Sequence, residues 1–247
     1  MEFLFDVRRV QTRLLEMAKK IAQILESENI PYQIAFGTLL GAVRHKGFIP
    51  WDDDFDFFLF DETYEKAMDV LFKNLPHDMF LENEKTEKNY FHAWAHVKDL
   101  NSECTYEHYP QDSLYKHQGI SVDLYRIKKI QAKDFANFRY EMALQYIERR
   151  KQLGFISEEE FVNRKKTFEI RKQKDVLDID KEILAYPFDI GHQFTEDVFP
   201  LKKYKFENET FFGPNNADHI LKMRYGNYME LPKEEDRIPH YSNVIFK

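Results

Sequence analysis

Over residues 3–28, apolar side chains recur at spacings of three and four: Val7, Val10, Leu14, Met17, Ile21 and Ile24. Arg8, Arg9, Arg13, Lys19 and Lys20 fall mostly off that stripe. The period predicts an amphipathic helix packed on the body of the protein and ended by Pro31. Tyr32-Gln33-Ile34-Ala35-Phe36 alternates, which predicts a short strand entering Gly37-Thr38. Thr38 to about Arg44 has helical composition, with Thr38 placed to cap the first turn. Phe55 to Phe60 is an aromatic run of strand length with Asp56 inside it. Residues 62–75 predict a helix with Tyr64, Ala67, Met68, Leu71, Phe72 and Leu75 on one face, stopped by Pro76.

Further strands are expected near 78–82, 90–98 and 118–127. The last holds Asp123 between Val122 and Leu124. From about 132 to 174 the chain turns helical and charged. Gly154 and Ser157 split it into two helices, with Glu160 in position to complete a capping box. The charge runs there, such as Glu148-Arg149-Arg150-Lys151, read as solvated faces. Residues 201–213 predict a hairpin around Glu207-Asn208. Pro214-Asn215-Asn216 then caps a helix through Ile220, Leu221 and Met223 that Gly226 ends, and a loop-like tail runs to His240.

Composition narrows the function classes. Of 247 residues 43% are apolar and 16% aromatic, enough for a packed core. The net charge of −7 disfavours a nucleic-acid partner. A lone cysteine, Cys104, excludes an internal disulfide and a cysteine-rich zinc site. No run reaches the roughly 20 apolar residues that span a bilayer, and no signal-peptide pattern opens the chain, so a cytoplasmic location is expected.

Candidate chemistry gathers in Gly37 to Asp56, GTLLGAVRHKGFIPWDDDFD. Four aspartates, Asp52, Asp53, Asp54 and Asp56, crowd its end. Carboxylates at that density repel one another unless water or a divalent cation neutralises them. In a strand, residues two apart share a side, so Asp54 and Asp56 project together. With the Asp123 strand alongside, three carboxylates converge as hard oxygen ligands for Mg²⁺ or Mn²⁺. The Gly37-Thr38 turn offers backbone N–H groups and a hydroxyl to phosphate oxygens. Asp52 and Asp53 can also serve simply to shape the turn. This layout suits a nucleotidyltransferase-like fold of the α+β class, a small mixed sheet carrying the acids and flanked by helices.

The same stretch resembles the signature of the LicD family of phosphocholine and phosphoalcohol transferases, to which fukutin-related proteins are more loosely similar. Ala95-His96-Val97-Lys98-Asp99, Gly119 to Leu124, and Tyr225-Gly226-Asn227-Tyr228-Met229-Glu230-Leu231-Pro232 with Arg237 and His240 extend the resemblance over most of the chain. It implies one domain over 1–247, with a helical insertion at about 131–190 and a C-terminal motif at 214–240. It also implies transfer of phosphocholine from CDP-choline, or of another phosphoalcohol from a CDP-alcohol, to a hydroxyl of a glycan or lipid-linked glycan, as in teichoic acid precursors. Such an acceptor brings the enzyme to the inner face of the membrane.

By that resemblance Asp54, Asp56 and Asp123 are the catalytic metal ligands and Asp52 a further ligand or a partner behind them. Gly37, Thr38, Arg44 and Lys98 are candidate phosphate contacts, and Arg237 and His240 candidates to reach the donor from the C-terminal loop, His240 being otherwise an exposed loop histidine; His45 is expected to pack under the Trp51 turn. Trp51, Trp94 and Tyr228 are candidates for an aromatic box around a quaternary ammonium, or else core residues. One departure bears on the substrate: Tyr125-Arg126-Ile127-Lys128 stands where the family often has an apolar-Pro-Leu-Asp ending. The alternative chemistry is nucleotide transfer to a sugar phosphate or small-molecule hydroxyl with release of pyrophosphate.

Overall fold

The apolar stripe of the first segment becomes helix α1 (Val7–Ser27), with Val10, Leu14, Met17, Ile21 and Leu25 buried. Each such side chain contributes roughly 1.5–3 kcal/mol by leaving water. Asp6 caps the helix, accepting from the Arg9 N–H at 3.1 Å. A computed structural model describes residues 5–106, 110–187 and 191–247 of this chain.

In chain order there follow β1 (Tyr32–Ile34), α2 (Phe36–Arg44), β2 (Asp56–Phe60), α3 (Asp61–Asn74), β3 (Met79–Glu82), β4 (Ala95–Asp99) and β5 (Ser102–Tyr106). Then come β6 (Ser121–Gln131), α4 (Phe135–Gln152), α5 (Glu158–Lys174), β7 (Glu182–Ala185) and β8 (His192–Phe194). The chain continues with α6 (Thr195–Val198), β9 (Lys202–Phe206), β10 (Glu209–Gly213), α7 (Ala217–Tyr225) and β11 (Tyr241–Phe246).

The main sheet is mixed, in the order β1-β2-β6-β4-β3, and only the β2–β6 pair among these neighbours is parallel. β6 is long enough to leave this sheet at its far half, where it pairs with β7, and β7 in turn with β8. β2 is buried at every position, as expected for a central strand covered on both faces. Phe55, Phe57 and Phe48 meet Phe206 and Phe211 of the β9–β10 hairpin edge to face. α1 and α3 lie against the sheet and against each other.

Several expectations shift. β1 stops at Ile34, because Phe36 takes a left-handed φ of 42° and starts α2 with Ala35 as its cap residue. Thr38 lies inside the helix instead of capping it. Residues 90–94 form no strand, since Tyr90 turns its hydroxyl onto the Trp94 carbonyl. Phe72 is 64% exposed, so the apolar face of α3 is narrower than its sequence suggests. Ser157 caps α5 through the Glu160 N–H, but the Glu160 carboxylate turns to Arg164 at 2.7 Å, leaving half a capping box. After the loop-like tail, β11 pairs antiparallel with β5. Among the described residues no helix is long and apolar enough to cross a membrane.

Candidate metal and phosphate site

The register of β2 and β6 sets Asp56 opposite Asp123, and β4 sets His96 opposite Asp123 on the other side. Asp56 is the first residue of its strand. Its backbone N–H donates to the Thr38 hydroxyl at 2.9 Å, and its carbonyl accepts from the Ala35 N–H at 3.0 Å. The opening of α2 is thereby tied to the strand that carries the acid. From α1 the buried Gln11 amide donates to the carbonyls of Ile49 and Asp52, at 3.1 and 2.9 Å, and fixes the loop before it.

Each aspartate has a different environment. Asp53 is fully buried and accepts from the His240 N–H at 2.7 Å, the Tyr241 N–H at 2.9 Å and the His240 ring at 3.0 Å. It clamps the C-terminal segment. Asp52, Asp54 and His240 offer ligand atoms that all lie within 4.8 Å of one another. Asp123 is oriented by its neighbours: Trp94 Nε1 and the Tyr125 hydroxyl each donate to Oδ2 at 3.1 Å, and Ser121 donates to Oδ1 at 3.3 Å. His96 Nε2 stands 3.7 Å from the same oxygen.

Electrostatics follow from this crowding. Burial, and then the charge of Asp54, pushes the Asp52 carboxyl well above the usual range. Burial also raises Asp54. Asp56 is raised by burial and by Asp54, Asp123 and Asp52, against which the Arg224 charge acts. His240 is pushed up to about 10, chiefly by its hydrogen bond to Asp53 and then by Asp54. Asp54 Oδ1 is buried with no hydrogen-bond partner among the described residues. An orphaned carboxylate oxygen among mutually repelling acids is the donor set a hard divalent cation fits.

These acids open on a cavity of about 600 Å³ lined by Gly37, Asp52, Asp54, Asp56 and His240, together with Phe36, Trp94, Tyr125, Tyr186, Arg224 and Tyr225. A Cβ on Gly37 would stand 2.9 Å from Asp52 Oδ2, so a side chain there would push that carboxylate aside. Gly41 is held more tightly, its Cβ direction meeting the Gly47 backbone carbonyl oxygen at 2.5 Å. The Arg224 guanidinium lies 4.3 Å over the Phe36 ring.

Other expected contacts lie elsewhere. Thr38 is 3% exposed and spends its hydroxyl on β2. Arg44 donates to the Tyr228 carbonyl at 2.7 Å and to His45 at 2.9 Å, holding the C-terminal motif. Lys98 is 1% exposed on β4. Arg237 sits 5.2 Å over Trp51 and donates to the Pro232 carbonyl. His45 does meet Trp51 edge-on, at 6.4 Å. Trp51 and Tyr228 are not among the cavity's lining residues; the aromatic walls beside Trp94 are Tyr125, Tyr186 and Tyr225. Arg224, Tyr125, Tyr186 and Phe36 carried no signal in their spacing. Only packing brings them to the acids.

Comparison with known proteins agrees with this layout. The family model described as LicD/FKTN/FKRP, nucleotidyltransferase domain, matches residues 29–216. Lipopolysaccharide cholinephosphotransferase LicD of Haemophilus influenzae is 27% identical over 268 residues, spanning 95% of this chain and 96% of its own length. Uncharacterized proteins of Rickettsia typhi and Rickettsia prowazekii are 32% and 30% identical over 132 and 137 residues, each spanning 48% of this chain. They cover 40% and 48% of those relatives' own lengths. With its acid-bearing strands and the regions beside them inside the matched span, the chain belongs to the LicD/FKTN/FKRP family.

Proposed function

We propose that this chain is a metal-dependent transferase that moves a phosphoalcohol, phosphocholine foremost, from a CDP-activated donor to a hydroxyl of a cell-surface glycan or its lipid-linked precursor. The sheet and its helices are read as a nucleotidyltransferase-like fold acting as one unit over 1–247, with 131–190 as a helical insertion. The reading rests on one observation above the rest: Asp56 and Asp123 face each other in register beside a cavity that also holds Asp52 and Asp54. The cholinephosphotransferase named among the relatives supports the same chemistry.

Asp54, Asp56 and Asp123 would hold Mg²⁺ or Mn²⁺, with Asp52 alongside. When bound, such a cation neutralises phosphate charge and lowers the pKa of a coordinated hydroxyl. The chain's own residues do the rest. Trp94 and Tyr125 hold Asp123 Oδ2 in place, so that its other oxygen can take the acceptor proton. Arg224 and the N–H groups at Gly37 face the donor phosphates. His240, cationic near neutral pH, offsets the acids until the donor arrives. The rings of Trp94, Tyr125, Tyr186 and Tyr225 suit a quaternary ammonium, whose charge is attracted to aromatic faces.

The test is product analysis with CDP-choline, Mg²⁺ and a glycan acceptor. Release of CMP with phosphocholine on the glycan is expected. Pyrophosphate release from a nucleoside triphosphate, with CDP-choline inert, would assign nucleotide transfer instead.

A further inference from the structure

A second cavity, of about 310 Å³, adjoins the first between α3, the end of β3 and α4. Trp94 and Tyr146 line both. Its size is at the lower end of the roughly 300–1,000 Å³ typical of small-molecule sites. The Trp94 side chain that forms part of its wall is the one whose N–H holds Asp123. A ligand in this second cavity therefore lies one indole away from the carboxylate that faces the acceptor.

Its lining selects among ligand classes. The cations around it are already engaged. Arg149 donates to the carbonyls of Tyr90 and Lys88 at 3.1 and 3.0 Å. Arg126 pairs with Asp61 and Glu65, and Lys85 pairs with Glu65 at 2.9 Å. A phosphate would have to displace these pairings, so a nucleotide or a phosphate ester is a poor fit. Tyr90 is buried and the Arg126 guanidinium lies 5.0 Å over the Tyr64 ring, so what remains is aromatic surface from Trp94 and Tyr146, bordered by Asn83, Glu84 and Gln145. Flat rings cover the C–H faces of a pyranose, while amides and a carboxylate bond its hydroxyls.

We infer that this cavity is the subsite for a neutral sugar of the acceptor, its attacking hydroxyl reaching Asp123 past Trp94. The inference rests on the transferase reading for what the sugar does, and on the cavity alone for its being bound. α4 supplies one wall through Met142, Gln145, Tyr146 and Arg149, spaced three and four apart on one helical face. The helical region after β6 therefore serves as the acceptor side of the enzyme.

Binding and turnover test it separately. In a Trp51→Phe background Trp94 is the sole tryptophan, and its fluorescence should change saturably with methyl glucoside or methyl galactoside, with no donor or metal present. Gln145→Arg, an exposed position on α4, should abolish that response. Glu84→Ala and Gln145→Ala should each raise the sugar-acceptor KM about tenfold, with kcat and water-driven CDP-choline hydrolysis unchanged. No saturable response to either glycoside, or a response and KM that Gln145→Arg leaves unaltered, overturns the assignment. Pyrophosphate release from a nucleoside triphosphate, with CDP-choline inert in the presence of Mg²⁺ and a glycan acceptor, overturns the transferase reading instead, while the fluorescence result still judges the cavity.

Discussion

Asp56 and Asp123 are paired residues of neighbouring parallel strands, the first position of β2 against the third of β6. A parallel ladder brings strands of distant sequence together in a fixed phase, so the two carboxylates meet by backbone register and need no side-chain contact to align them. The consequences below follow from that pairing and from the groups around it.

Asp56→Asn and Asp123→Asn should fold and yet lose metal-dependent turnover by about a thousandfold or more, the scale expected when charge stabilisation at a phosphoryl centre is removed. Asp56→Asn should also raise the melting temperature measured in EDTA, because it removes a charge that burial and its neighbours disfavour. Near-normal rates in either variant would sink the metal assignment.

The same carboxyls make the metal-free protein pH-sensitive in a predictable direction. Asp52, Asp54 and Asp56 all have folded values above their ordinary range. A raised carboxyl stabilises fully below its unfolded value, about 3.8, and that stability is lost as pH climbs through the folded value. Chemical denaturation in EDTA should therefore show stability falling from about pH 4 upward. Mg²⁺ should restore it most at the high end of the range, and an unchanged profile with metal would count against the site.

Asp53 does structural work. With three hydrogen bonds from His240 and Tyr241 ending on one buried carboxylate, Asp53→Ala should cost about 2–4 kcal/mol by leaving buried donors unpaired. Hydrogen exchange should rise first in β11. A variant with full stability and selective loss of metal binding would contradict this role.

Glu82 stands behind the acids, 3.3 Å from the His96 ring whose other nitrogen neighbours Asp123. It is fully buried, its carboxyl pushed up to about 7 from 4.5 by burial, and one oxygen has no hydrogen-bond partner among the described residues. Below about pH 4.5 it costs nothing. As pH rises through 7 the folded state loses about 3 kcal/mol relative to the unfolded one. Glu82→Gln should accordingly stabilise the protein at pH 8 and have little effect at pH 4.5, by urea titration at the two values.

Much of this was legible in the chain itself. The stripe of Val10, Leu14, Met17 and Ile21 has a 3.6-residue period that only a one-sided helix satisfies. Glu207-Asn208 between the short segments that hold Tyr204 and Phe206 on one side and Phe211 and Phe212 on the other marks a hairpin, and Gly226 ends a helix by adopting a positive φ of 62°. These signals are local, so neighbouring residues carry them. The acidic motif was legible for the same reason, its repulsion being a property of adjacent side chains. What only the tertiary structure decided is the assignment of work among those acids. Asp53 turned to the C-terminal strand, Thr38 to the β2 backbone, Arg44 to the Tyr228 carbonyl, and Arg224 and Tyr186 to the cavity. Each depends on which distant group lies across the contact, and backbone register and packing set that, not the order of residues along the chain.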